Sequence, residues 1–203
     1  MAYESTGLDR MDRYLAGLPA GLDSFPECVA KGSVLRSTLV QQPVAEIAAR
    51  LPAPLRALVV DPPVDSEWMS EVRLVAIYLG VTDVRGYGDA DVLAWARDRN
   101  RALFRNPAYR ILMAVSSPAT LLRGATMRWS NWHRGSTLEI EGITDAGVRA
   151  LLRFPPGLFG DLMLKVFGEA FSAGLELARA PAPAASVELV APGVARYLVT
   201  WGG

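Results

Sequence analysis

The feature that most constrains this chain is a change of hydrophobic period at Gly124. Before it, apolar residues recur every three to four positions; after it they alternate. The first pattern buries a stripe of a helix and the second buries one face of a strand. The fold class read from this switch is α+β: a helical N-terminal half followed by an antiparallel ββαββ module with one long helix. Residues 1–24 read as an extension. Residues 25–203 read as a single domain, with a helical part at 25–124 and a sheet-and-helix part at 125–203.

In the helical part, a short helix fits Leu8 to Leu18. Ser33 can cap another running to about Gln42, and Pro43 suits the first turn of a third. The stretch LPAPLRALVVDPPVD predicts a short helix closed by Pro62 and Pro63. Ser66 is placed to cap the next, with Trp68, Val72, Val75, Ala76 and Leu79 on one face and Gly80 at its end. Further helices are expected over about 90–104, from Asn106–Pro107 through Ile111 and Val115, and in SPATLLRG.

Beyond Gly124, ATMRWSNW is expected as a strand, HRGS as a turn, and TLEIEG and VRALLRF as paired strands with acids beside arginines on a solvated face. Pro155–Pro156 should end the sheet. A long helix over about 157–179 then carries Phe159, Leu162, Met163, Val166, Phe167, Ala170, Phe171, Gly174 and Leu177 as its apolar stripe. The strands SVELV and ARYLVTW close the chain.

Composition removes several chemistries. The 203 residues include one cysteine, Cys28, and one histidine, His133, with 21 basic and 21 acidic residues in balance. A structural zinc site takes about four Cys or His ligands, and an internal disulfide takes two cysteines. Neutral charge gives no electrostatic drive toward nucleic acid or anionic membrane. The N-terminal MAYESTGLDR has no apolar core, so no signal peptide is expected. The longest apolar runs, such as Leu74 to Leu79, fall far short of the roughly 18 residues a membrane span needs. A cytoplasmic protein without cofactor, metal or membrane span is the expectation.

The segments YRILMAVSSPATLLRGATMRWSNWHRGSTLEIEG, PECVAKGSVLRSTL, VDSEWMSEV and YLVTW together resemble a family of myxobacterial proteins. Their order is similar to a wider superfamily: haem nitric-oxide-binding domains, vinyl-reductase-like sensor domains and TRAPP trafficking subunits. The resemblance implies an internal pocket for a small, mostly apolar ligand, or a dimerising scaffold. Haem-binding members of that superfamily take an axial histidine from a helix and hold the porphyrin with Tyr-x-Ser-x-Arg. This chain has no such motif, and its only histidine is placed by the sequence in a turn between strands. The vinyl-reductase-like members use a cysteine cluster, against a lone Cys28 here.

Two groups of candidate site residues remain. Trp129, Trp132 and His133, with Phe167, Phe171, Tyr197 and Trp201, either wall an apolar ligand pocket or form an ordinary core with an exposed turn histidine beside it. Arg97, Arg101 and Arg105 share one helix face. That face suits a phosphate or an acidic partner, or else it is solvated and paired with acids elsewhere, such as Glu67 and Glu71. No catalytic triad or phosphate loop is present in the sequence. The expectation is a non-enzymatic ligand-binding or sensory module, pictured as a homodimer. The alternative is a TRAPP-like interaction protein without a small ligand.

Overall fold

A computed structural model describes residues 5–104 and 117–202. It contains helices and antiparallel sheets, the α+β class expected. The chain forms two compact units. The first runs to Gly88 and also takes Trp132–Gly135; the second comprises Asp89–Asn131 and Ser136–Gly203.

The first unit is built on helix α5 (Glu71–Val84). This helix is apolar on every side, with Val72, Leu74, Val75, Ala76, Ile77, Leu79 and Val81 all buried, as suits a helix at the centre of a unit. Helices α1 (Asp9–Ala16), α2 (Gly32–Leu39), α3 (Val44–Arg50) and α4 (Ala53–Val60) pack against it. At its N-terminus the Ser70 hydroxyl accepts from the Arg73 N–H. Near its C-terminus the Asp83 carboxylate accepts from the N–H groups of Arg10 and Met11, satisfying donors in the first turn of α1. Three short strands complete the unit: β1 (Val29–Lys31), β2 (Trp68–Ser70) and β3 (His133–Arg134), in the order β2-β1-β3.

The second unit holds α6 (Asp89–Phe104), α7 (Pro118–Arg123) and most of α8 (Ala125–Trp132). Strands β4 (Thr137–Thr144), β5 (Gly147–Arg153), β6 (Ala184–Ala191) and β7 (Val194–Thr200) form an antiparallel sheet in the order β4-β5-β7-β6. Helix α9 (Asp161–Leu177) packs on β6, β7 and α6. Alternation works as the sequence indicates: Val148, Ala150, Leu152, Ala195, Tyr197 and Val199 are buried. The solvated face carries Arg153–Glu139 and the Glu141–Arg196–Glu188 series of ion pairs. The Tyr197 hydroxyl donates to the Leu164 carbonyl of α9 at 2.9 Å. A Cβ on Gly168 would meet Ala185 Cβ at 3.4 Å, so this small residue permits close helix–sheet packing.

Four local expectations are corrected. ATMRWSNW is helix α8 and not a strand; within that segment only Trp129 is buried, so the run carries no real alternation. HRGS is not a simple turn, because His133–Arg134 is strand β3, paired with β1. Trp68 lies on strand β2, and the helix that follows is capped by Ser70 instead of Ser66. The long helix begins at Asp161, so Phe159 precedes it while still packing on Phe154 and Phe167. The helix expected from Asn106 to Val115 lies outside the described residues.

Candidate functional site

Residues directly opposite one another in the β2-β1-β3 sheet share a face. Ala30 pairs with both Met69 and His133, and these three side chains turn inward, none more than 7% exposed. Glu71 follows β2 directly and opens α5; its N–H donates to the Cys28 carbonyl at 2.9 Å. That turn carries its carboxylate under the sheet, where Oε2 lies 2.9 Å from His133 Nδ1. Glu71 is 1% exposed. His133, expected in an exposed turn, is therefore a buried strand residue tied to a carboxylate 62 positions earlier. Neither group could stay buried and charged alone, so each accounts for the presence of the other.

Buried Cys28 and half-buried Tyr14 complete this polar group. Burial, with Glu27 and Glu71 close by, pushes the Cys28 thiol up to about 12 from an ordinary value of 9.0. Burial first, then Glu71 and Cys28, pushes the Tyr14 hydroxyl up as well. The fold thus holds the thiol protonated. Its contribution to stability is intact below pH 9 and is lost as pH rises toward about 12. At pH 8, alkylation of Cys28 by iodoacetamide should be at least about 100-fold slower in the native protein than in urea, read by intact mass. Equal rates would show that the thiol is neither buried nor protonated.

A carboxylate on the Nδ1 side of an imidazole is an arrangement suited to general base chemistry. Here it is sealed, and a catalytic base has to reach its substrate. The geometry instead fastens the two-residue strand β3 into the sheet.

The other aromatic candidates fall in the second unit. Trp129 meets Phe167 edge-on at 5.2 Å, and its indole N–H donates to the Ser136 hydroxyl. Phe171 meets Tyr197 edge-on at 5.2 Å. Trp129, Tyr197 and Trp201 are buried, and Phe167 and Phe171 are half-buried. Trp132 and His133 belong to the first unit, so the seven residues do not form one cluster within either unit.

Arg97 and Arg101 turn toward α9. Arg97 Nε lies 2.7 Å from Glu169, and Arg101 makes a two-pronged contact with Glu176 at 2.6 and 3.0 Å. The acids that serve this face are thus Glu169 and Glu176 on α9, with Asp98 on α6 itself, in place of Glu67 and Glu71. A cleft of about 540 Å³ opens beside the contact, lined by Asp98, Arg101, Ala102, Glu176 and Leu177. Arg105 lies outside the described residues. Because the pair is partly exposed, Glu176→Ala should cost about 1 kcal/mol in urea denaturation, and less in molar salt. A loss independent of salt would point to packing instead of charge.

Among solved structures, an Fe(II) unliganded H-NOX protein from K. algicida superposes with a TM-score of 0.61 and 10% identity, over 85% of this chain and 97% of its own. An oxygen-binding H-NOX domain related to soluble guanylate cyclases gives 0.54 and 12%, over 85% and 93%. The fold is that of H-NOX domains. No protein-family model and no curated protein matches the sequence. Haem distortion has been probed in the H-NOX family, so the fold raises the question of haem directly. An axial donor must face a space wide enough for a porphyrin. His133 is 7% exposed and Cys28 0%, so protein atoms already fill the space a porphyrin plane would need against either side chain. Neither fits as an axial ligand. No described helix is long and apolar enough to cross a membrane.

Proposed function

We propose that this chain is a non-enzymatic sensory or small-ligand-binding module that keeps the H-NOX fold without its haem and acts as a homodimer. The observation that carries the reading is the completeness of the fold match, 97% of the K. algicida protein's length. The module's framework is thus retained while the chain's one histidine is spent inside the first unit on Glu71. An apolar ligand would lie against Phe167 and Phe171, which stay half-buried on α9 and are held edge-on by Trp129 and Tyr197. Among the described residues, the pair with the look of a catalytic base, His133 and Glu71, is closed to substrate.

Native mass spectrometry of the purified protein, set against its denatured mass, tests this reading. The expected result is a dimer carrying an excess mass that is released on denaturation and reduced in Phe167→Ala. A dimer with no bound species would favour the TRAPP-like scaffold. A bare monomer would overturn both.

A further inference from the structure

The inward face of the β2-β1-β3 sheet is the buried site already described; the outward face has a different chemistry. Lys31 pairs with Trp68 in the register, and Arg134 pairs with Val29, two residues from Lys31 on the same face. The Lys31 ammonium lies 4.0 Å from the centroid of the Trp68 ring, and the Arg134 guanidinium also lies 4.0 Å from it. Two cations thus share one indole, whose electron-rich faces attract each of them. They are within twice that distance of each other and repel.

Their local acids are engaged elsewhere. Glu67 accepts from the Val64 N–H at 2.9 Å, and Asp65 lies 3.6 Å from Arg36. Among the described residues neither Lys31 nor Arg134 has a carboxylate at ion-pair distance. Lys31 is also fixed in place, its ammonium donating to the Ser66 carbonyl at 2.6 Å. Apolar surface adjoins the cations: Val64 is 54% exposed. Its carbonyl lies so close to Gly32 that a Cβ there would collide with it, and this close approach holds the Val64 loop beside Lys31.

We infer that this outward face is a docking surface for an acidic, partly apolar segment of a protein partner. Two preplaced cations without counter-charges are complementary to carboxylates, and Trp68 with Val64 gives such a segment apolar contact. A pleated sheet face suits an extended chain, whereas small-molecule sites are concave. A net charge of +0 gives no long-range attraction to a polyanion, which disfavours nucleic acid. The inference is independent of whether the second unit holds a ligand.

Fluorescence anisotropy with a labelled octapeptide of alternating Glu and Leu tests it on the full chain, beside a labelled oligothymidylate of equal charge. The peptide should bind, and more weakly as ionic strength rises. Lys31→Glu combined with Arg134→Glu should weaken it at least about tenfold. Trp68→Ala, which keeps both cations, should weaken it by about threefold or more. If charge reversal impairs folding by circular dichroism, Lys31→Gln with Arg134→Gln serves in its place with the same expected loss. No binding of the peptide, or equal binding by the wild-type and substituted proteins, overturns the inference. Preference for the oligothymidylate, lost in the same variants, also overturns it and assigns the face to single-stranded nucleic acid.

Discussion

Replacing His133 with leucine should destabilise the first unit by about 3–5 kcal/mol, because it strands the Glu71 carboxylate at a site with 1% exposure. The size of the effect comes from the partner left behind. Leucine fills most of the imidazole's volume, so lost packing is a small part of it. The double substitution Glu71→Leu with His133→Leu should therefore recover much of the loss, since a buried hydrogen-bonded polar pair exchanged for apolar residues of similar size is often near neutral. Urea denaturation of the wild type, both single variants and the double variant completes the cycle. A His133→Leu protein within about 1 kcal/mol of wild type would mean that Glu71 reaches water.

The second large effect is at Gly135, directly after β3. Its φ is +78°, a conformation that side chains rarely adopt. A Cβ there would lie 2.6 Å from Cys28 Sγ, 2.8 Å from Cys28 Cα and 2.8 Å from the Glu27 carbonyl. Two of these three atoms are backbone and cannot swing aside. Gly135→Ala should cost about 3 kcal/mol or more, read by urea denaturation. Gly86 supplies the control, with φ +62° and nothing within 4 Å of where a Cβ would stand. Gly86→Ala should cost only about 1 kcal/mol, the backbone strain alone. Equal losses at the two glycines would show that β3 does not press on Cys28.

What is legible in the sequence follows the range over which its signals act. The strands around Ala150 and Tyr197 and the long helix bearing Met163 and Val166 are long enough for a period to emerge, and they can be read directly. Strands β1, β2 and β3 are two or three residues each. No alternation can develop over that length, and their pairing joins residue 30 to residues 69 and 133. Local pattern consequently puts His133 in a turn and leaves its partner Glu71 looking like a surface acid. ATMRWSNW follows the change of period at Gly124 and is expected as a strand for that reason, although tryptophans three apart share one face only on a helix. The arginine face is visible from i,i+4 spacing, but the acid that meets Arg101 in a two-pronged contact lies 75 positions away on α9. The one usable signal for the buried pair is the scarcity of histidine itself, since a lone imidazole, once buried, needs a polar partner.

The proposed haem-free use of the H-NOX fold is tested most directly by titrating the purified protein with haemin and following visible absorption. The expected result is no saturable 1:1 complex and no sharpened, shifted Soret band. A stoichiometric complex with a Soret band characteristic of an axially ligated haem would contradict it.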